Sequence, residues 1–196
     1  MRKKSHISLA RYIVNSVGME KLQGHKKAFY IGSILPDCVP SFITRKHCID
    51  ETFGVLRKEI EKVTEDYDME KGIGMYYCRH LGVITHYIAD YFTFPHNSIY
   101  SGNMKEHCKY EGELKHALKD YVKSDDAKRI REKTGVFKSV EDILKFIKET
   151  HNEYLDAIKA IKIDCLYIVE LCHKVVDAIL QWFEIEFGTN KVALAV

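Results

Sequence analysis

Apolar side chains recur every three or four residues along almost the whole chain. Because an α-helix presents one face at this period, the pattern predicts amphipathic helices with one buried side. The predicted helices cover residues 6–18, 23–34, 47–65, 72–92, 103–123, 126–134 and 139–187. No alternating pattern of useful length predicts a strand. The chain is therefore predicted to be an all-α protein, built as a multi-helix bundle.

The last predicted helical region carries local signals at its ends. Ser139 followed by Asp142 resembles a capping box, which satisfies free N–H groups where a helix begins. Gly188 lies just past the last apolar residues, where a helix C-cap is expected. A break is expected near 162–164. The chain is interpreted as a single domain with a short C-terminal tail over 188–196, because its length suits one core.

Composition is that of an ordinary soluble protein, since 46% of the residues are apolar and 30% are charged. The formal net charge of +2 is too small to argue by itself for nucleic acid or a membrane as partner. No apolar segment approaches the roughly 20 residues that a transmembrane helix needs. These features exclude a membrane-spanning protein. The function therefore has to be inferred from individual residues and their spacing.

The N-terminus and the cysteines bear on the cellular compartment. The chain begins with basic residues, but Arg11 and Asn15 interrupt the apolar run before the hydrophobic region of a secretory signal forms. The six cysteines are scattered, and none forms a Cys-x-x-Cys pair. A disulfide framework is therefore not expected. We expect instead that the protein lies in a reducing, cytoplasmic setting.

Histidine and carboxylate residues share a helical spacing in the middle of the chain. His86 and Asp90 are four residues apart, so on a helix they project from one face, with Cβ atoms roughly 5–6 Å apart. Both could therefore reach one metal ion, or Asp90 could bridge two. Pro95 disfavours further helix, so that His96 can turn back toward the same space.

His107 and Glu111 repeat the four-residue spacing further along the chain. Imidazole and carboxylate groups are ligands that zinc accepts, at about 2.0–2.2 Å. Two such pairs, with a histidine between them, could form two metal sites in one bundle, although spacing alone does not place the helices beside each other. Three further candidates lie upstream: His6 at the start of the first helix, Asp37 just past a helix end, and His47 at the opening of another.

Taken in order, these residues resemble the ligand set of a known enzyme family. The matching positions are His6, Pro36-Asp37, His47, His86-x-x-x-Asp90-x-x-x-x-x-His96 and His107-x-x-x-Glu111. The set resembles that of the bacterial zinc-dependent phospholipases C, and it is similar to that of their relatives, the fungal single-strand-specific zinc nucleases. The motifs span residues 1–111, a little over half of the chain. Ligand types that match in order are a more specific signal than any one pair.

The resemblance implies the helical fold of that family and a site of two or three zinc ions. The first ion would be held by Asp37, His47, His86 and Asp90. The second would be held by His96, His107 and Glu111. Asp90 would bridge to a third ion, completed by His6 and by the amino group and carbonyl of Met1.

The resemblance also implies the chemistry, which is hydrolysis of a phosphoester by a metal-activated water. Bound ions would neutralise the charge that builds on the phosphoryl oxygens. Asp37 is the catalytic candidate, because its carboxylate would be best placed to orient or deprotonate that water. The expected partner is a phosphoester substrate, either a phospholipid or another phosphodiester.

One departure from the family pattern concerns the N-terminus. The secreted members expose an N-terminal tryptophan after processing, whereas this sequence begins with Met1. The spacing from Met1 to His6 nevertheless resembles that of the nuclease relatives. Arg2 is bulky and is expected to disfavour removal of the initiator methionine. We therefore expect Met1 itself to supply the α-amine and the carbonyl.

Simpler interpretations of single residues stay open on the sequence. Asp37 could serve as a turn residue after Pro36, a role that aspartate often has. Glu111 could form a surface pair with Lys115 on its helix. A lone histidine on a helix is usually solvated or capped.

Three other functions also stay open. A nuclease or nucleotide phosphodiesterase is the less favoured enzyme, because the near-neutral charge does not indicate a strongly basic groove. A ferritin-like di-metal bundle would use two Glu-x-x-His motifs, Glu113 with His116 and Glu170 with His173. A helical protein that binds metal without catalysis is the third alternative.

Overall fold

The structure is a computed structural model that describes residues 1–39, 46–131 and 137–193, with side chains up to residue 188. Within these ranges it contains eight α-helices and no strand. The helices are α1 (Lys3–Val17), α2 (Glu20–Gly24), α3 (Lys26–Ile34), α4 (Ile49–Glu61), α5 (Met75–Tyr91), α6 (Met104–Tyr121), α7 (Val140–Asp156) and α8 (Ile161–Ala193). Short 3-10 helices cover Leu35–Asp37, Met69–Lys71, Phe94–His96 and Asp125–Ala127. The predicted all-α fold is confirmed.

Helix α5 forms the centre of the bundle. Its side chains are buried at Tyr77, at Cys78 and at every position from His80 to Tyr91. A helix that is buried on all sides lies inside a protein rather than on its surface. Because α5 contacts α3, α4 and α8, the polar residues that it carries are enclosed by the bundle as well.

Two glycines let α3 and α5 approach each other closely. A Cβ atom on Gly32 would lie 2.0 Å from the carbonyl oxygen of Arg79, and one on Gly82 would lie 2.3 Å from that of Phe29. Both contacts are with backbone atoms, so the close crossing requires glycine at these positions. It holds the 3-10 helix after α3, which carries Asp37, in contact with α5.

Local capping fixes the start of two helices. The predicted cap at Ser139 is present, since its hydroxyl accepts a hydrogen bond from the N–H of Asp142 at 3.1 Å. The Asp142 carboxylate accepts from the N–H of Lys138, so the reciprocal bond of a capping box is absent at this start. A complete capping box opens α6, where Asn103 and Glu106 each accept from the other's N–H.

The predicted helix over 126–134 is wrong in its described part. A 3-10 turn covers Asp125–Ala127, and residues 128–131 are not helical. Residues 132–134 lie outside the described ranges. Apolar spacing over so short a segment predicts a helix poorly, because an isolated helix of this length is marginal without packing.

Two other boundaries differ from the predicted ones. The helix predicted over 23–34 is divided at His25 into α2 and α3. The break in the last helical region lies between α7 and α8, where Ala157 is extended with φ −71° and ψ 163°, and not at 162–164. Asp164 lies in α8, and its carboxylate accepts hydrogen bonds from residues of other helices.

Helix α8 continues through Gly188 to Ala193, so the predicted C-cap at Gly188 is wrong and 188–193 of the predicted tail are helical. A glycine C-cap adopts a positive φ. Among the described residues such angles occur at Gly18, which ends α1, and at Gly72. Residues 194–196 lie outside the described ranges.

Buried apolar side chains from α1 to α8 form one cluster, which runs from Met1 to Phe183. The expected single domain stays a prediction. Along the described residues, no helix has an apolar stretch that is long enough to cross a membrane.

Candidate metal centre

The C-terminal half of α5 supplies the first predicted pair, and both side chains are fully buried. His86 Nε2 lies 3.2 Å from Asp90 Oδ2, across the helical turn that the spacing predicted. The other ring nitrogen of His86, Nδ1, lies 2.9 Å from the carbonyl oxygen of Ser33. Because a carbonyl can only accept, Nδ1 is the donor, and the Nε2 lone pair of a neutral His86 faces the site.

The two carboxylate oxygens of Asp90 face different partners. Oδ1 accepts a hydrogen bond from the α-amine of Met1 at 2.7 Å and lies 3.4 Å from His6 Nε2. Oδ2 lies 3.1 Å from His47 Nδ1 and 3.2 Å from His86 Nε2. Asp90 therefore stands between a group of side chains brought by the start of α1 and a group brought by α5 and the segment before α4.

His6 is buried without a hydrogen-bond partner at either ring nitrogen among the described residues. Its exposed fraction is 1%, and its ring stacks on that of His86 with centroids 3.9 Å apart. An unpaired buried nitrogen costs free energy unless something binds it. A metal ion bound at Nε2 would remove that cost at this nitrogen, so the buried His6 fits a metal site.

A second group of side chains forms after α5 ends. His96, in the 3-10 helix that contains Pro95, places Nε2 3.2 Å from Glu111 Oε1. His107 places its own Nε2 3.3 Å from the same oxygen, which also lies 3.0 Å from the α-amine of Met1. The chain turns at Pro95 as the sequence predicted, and it returns His96 to the site.

Asp37 and His47 complete the cluster from the α3 side. Asp37 Oδ1 lies 3.7 Å from His47 Nδ1 and 3.8 Å from His86 Nε2. Its side chain is 22% exposed, against 16% for Glu111 and none for Asp90. Asp37 is therefore the carboxylate of the cluster that solvent reaches most easily.

Within the described residues, three sets of side chains bring their ligand atoms within 4.8 Å of one another. The sets are His6, Asp37 and His86; His47, His86 and Asp90; and His96, His107 and Glu111. The third set coincides with the predicted second zinc site. The first two contain all residues of the predicted first site, with His6 beside them. The predicted site residues thus meet in one centre.

Burial and charge shift the pKa values of these groups in a way that suits a cation. Burial, reinforced by His86, lowers the pKa of His6 to about 3, which keeps the imidazole in the neutral form that binds metal. Burial alone would raise the pKa of Asp90, but the Met1 amine and the histidines hold it well below its usual range. The same kinds of neighbour outweigh burial and lower the pKa of Glu111.

The α-amine of Met1 has a shifted pKa as well. Burial lowers it, but the carboxylates of Asp90 and Glu111 outweigh burial, so the pKa is raised above its ordinary value. In the metal-free protein, a buried ammonium group therefore occupies the space between these two carboxylates. Positive charge at this point is stabilised by the surrounding side chains.

Three residues that no sequence motif singles out hold the second group in place. The amide of Asn97 donates to two carbonyl oxygens near the end of α5, at 3.1 and 3.0 Å, and its oxygen lies 2.7 Å from His151 Nε2. Asp164 accepts from the N–H of Phe94 at 2.9 Å. These bonds fix the turn that leads to His96. No local spacing signals them, because α7 and α8 reach this turn only in the folded chain.

The alternative side-chain pairings receive no support. Neither Glu-x-x-His motif belongs to a potential metal-ligand set in the described residues. Glu113 pairs with Lys109 and Glu170 with Arg129. Glu111 is engaged in the centre, and the described residues show no ion pair between it and Lys115.

The sequence matches a family model described as zinc dependent phospholipase C over residues 5–161, well over half of the chain. The chain belongs to the zinc-dependent phospholipase C family. It has no significant match among curated proteins or among solved structures. Family membership and the clustered His and Asp side chains together indicate a hydrolase that binds zinc.

Proposed function

We propose that this protein hydrolyses a phosphodiester in the manner of a phospholipase C, through a metal-activated water. The observation that carries the proposal is the position of Asp90, whose two oxygens face different ligand groups at 2.7 and 3.1 Å. A carboxylate between two ligand groups can bridge two ions, and paired ions clamp the attacking and leaving oxygens of an in-line displacement.

Three zinc ions are proposed. The first would be held by Asp37, His47, His86 and Asp90, and the second by His96, His107 and Glu111. The third would be held by His6, Asp90 and Met1, and the α-amine of Met1 would have to release its proton to solvent in order to bind it. Bound zinc supplies Lewis acidity, which activates water and neutralises charge on the phosphoryl oxygens.

Asp37 is proposed to orient and deprotonate the attacking water. Its Oδ1 lies beyond hydrogen-bond distance from the nearest imidazole nitrogens, those of His47 and His86, at 3.7 and 3.8 Å. This oxygen can therefore accept a hydrogen bond from a water, and its partial exposure admits one. The bond from His86 to Ser33 keeps the neighbouring imidazole in one tautomer while the proton moves.

A cleft of about 400 Å³ beside His96 is the proposed place for the polar group of the substrate. Its walls come from the start of α4, the turn after α5 and the later part of α7. Asp50 and Lys148 give the cleft one charge of each sign, and Ser98 and Asn152 add hydrogen-bonding groups. A phosphodiester with a small polar head group suits this lining, with its phosphate toward the metal centre.

Zinc content and hydrolysis test the proposal together. Untagged protein is analysed for zinc per chain and assayed on phosphatidylcholine, phosphatidylethanolamine and bis(p-nitrophenyl) phosphate. Glu111→Gln removes a ligand of the second ion, so it should contain less zinc per chain than the wild type and should lose hydrolysis. Glu113→Gln is the matched control, because Glu113 lies on the same helix but outside the centre, and it should keep both.

Two outcomes would contradict the proposal. Zinc that is bound without turnover of any diester would leave a metal-binding helical protein without catalysis. Equal zinc content in the two variants would mean that the side chains around Glu111 do not form the site.

A further inference from the structure

We propose that the face formed by α1 and α6 docks onto the surface of a membrane that contains anionic phospholipids. A groove of about 500 Å³ runs between these two helices. Its lining includes five cationic side chains and no acidic one, and the cations are Lys3, Lys4, Arg11, Lys115 and Lys119. This docking does not depend on the proposed hydrolysis.

The charges of the groove are not balanced within the protein. In the part of the chain that the structure describes, none of the five cations forms an ion pair, and α1 contains no acidic residue. Lysines on other faces do pair with a carboxylate one turn away, as Lys109 does with Glu113 and Lys145 with Glu149. Like charges on one face repel each other and reduce stability. An anionic partner would remove that repulsion.

The lining distinguishes a membrane from single-stranded nucleic acid. Proteins that bind single strands stack successive bases on several aromatic side chains, whereas the lining of the groove contains no Phe, Tyr or Trp and a single imidazole ring, that of His116. Its apolar part is aliphatic, formed by Ile7 and the stems of the lysines. The groove thus offers five cations for phosphate groups but only one ring on which a base could stack.

Exposed apolar side chains lie on the same segment of the molecule. Met104, at the start of α6, is 73% exposed, and Ile99, just before this helix, is 46% exposed. Met104 and Lys115 are eleven residues apart, about three helical turns, so they share one face of α6. Cations for lipid phosphates beside apolar side chains for the acyl boundary are the pattern of interfacial binding.

The same two helices carry part of the metal centre. His6 lies on α1, and Glu111 precedes Lys115 by one turn of α6. Arg2 joins the two helices, since its guanidinium donates to the carbonyl oxygen of Cys108 at 2.8 Å. This bond holds the two helices of the face together.

Vesicle sedimentation on ice at low ionic strength tests the docking. Phosphatidylcholine vesicles with and without phosphatidylserine are compared for the wild type, for Lys115→Gln/Lys119→Gln, and for Lys26→Gln/Lys27→Gln. The last variant is the matched control, because it removes the same charge from exposed positions on α3, outside the groove. Thermal unfolding should show that all three proteins are folded.

The wild type should prefer the vesicles that contain phosphatidylserine. The groove variant should lose about fivefold in partitioning per lysine, or about 25-fold in total, whereas the control should change by less than about twofold. Equal losses in the two variants, or no preference for phosphatidylserine, would overturn the docking.

A third outcome would overturn it in favour of another partner. If the wild type binds a single-stranded oligonucleotide, loses that binding in the groove variant and ignores vesicles, the face belongs to nucleic acid. Sedimentation needs neither bound zinc nor turnover. A protein without catalytic activity would therefore still show whether the face binds vesicles. Failure of the docking is thus distinguishable from failure of the proposed hydrolysis.

Discussion

Two buried aspartates of this protein, Asp90 and Asp164, lie in opposite electrostatic surroundings. Their exposed fractions are 0% and 1%. Burial disfavours the ionised form of both, yet the α-amine of Met1 and the nearby histidines hold the pKa of Asp90 well below its usual range. Burial raises the pKa of Asp164 to about 6, because its uncharged hydrogen-bond donors and the charge of Lys159 lower the pKa by less than burial raises it. The chemistry of the neighbours, and not the depth of burial, separates the two carboxyls.

The difference corresponds to two roles. Asp164 accepts hydrogen bonds from the hydroxyls of Tyr110 and Tyr154, at 2.9 and 2.7 Å, and from the N–H of Phe94. It joins α6, α7, α8 and the 3-10 helix after α5, so it acts as a structural junction. Asp90 is surrounded by groups that are positive or can bind a cation, and it is prepared for metal.

The largest expected effect comes from replacing the carboxylate that faces both ligand groups. Asp90→Asn should lose most of the bound zinc and lower diester hydrolysis by at least about 10³-fold, because the bridging charge is removed. Zinc analysis and initial rates measure this. A variant that keeps zinc and near-wild-type turnover would show that Asp90 does not bridge.

The next effect concerns the charged partner of Asp90. Residues added before Met1 convert its ammonium group to a neutral amide and break a fully buried ion pair, which costs about 3–5 kcal/mol. Urea unfolding of the metal-free protein should show this loss, and zinc per chain should fall. The same extension at the C-terminus is the control. Equal stability of the two tagged proteins would contradict the role of the amine.

The pH dependence of stability should separate the two regions. The pKa of His6 is about 3 in the folded protein and 6.5 in the unfolded chain, so its contribution is present above pH 6.5 and is lost as pH falls toward 3. The pKa of Asp164 is about 6 when folded and 3.8 when unfolded. Its contribution, about 3 kcal/mol, is therefore present below pH 3.8 and is lost as pH rises through 6.

The two contributions oppose each other between pH 4 and 6. Over this range each group changes the difference in bound protons between the unfolded and folded states by about one, with opposite sign. The two slopes therefore nearly cancel, and together they should change the stability of the metal-free wild type little. Asp164→Asn removes the opposing contribution and should lose stability more steeply over this range. Urea unfolding at several pH values measures both slopes. Identical slopes would mean that Asp164 does not titrate in the folded protein as described.

The smallest expected effect is that of Asp164→Asn at pH 7. Loss of the buried charge is favourable, whereas the amide is a poorer acceptor for the N–H of Phe94, so stability should change by only about 1 kcal/mol. Zinc content should stay at the wild-type value. Loss of zinc would instead show that the junction and the metal centre are coupled.

The sequence predicted correctly those side-chain contacts that depend only on the repeat of a single helix. His86 with Asp90, and His107 with Glu111, meet across one turn wherever a helix forms. The cap at Ser139 is equally local. The break at Ala157 and the continuation of α8 through Gly188 were missed, because packing against other helices overrides weak local preferences at helix ends.

The hydrogen bonds that hold the second ligand group in place could not be predicted from the sequence, for a different reason. Asn97 bonds to His151 on α7, and the N–H of Phe94 bonds to Asp164 on α8. Each partner lies more than fifty residues away along the chain. A spacing rule cannot find such a pair, because no helical or strand period connects its members.

By itself, the sequence determined that this chain is helical and which side chains share a helical face. The order of its histidines and carboxylates also indicated the zinc-dependent phospholipase C family. Only the tertiary structure decided that these faces meet and that the amine of Met1 reaches Asp90 across 89 residues. It also decided that neither ring nitrogen of the buried His6 has a hydrogen-bond partner among the described residues. The physical reason is that helix formation depends on neighbours within a turn or two, whereas a metal centre depends on the close crossing of α3 and α5 at Gly32 and Gly82 and on the helices packed around it.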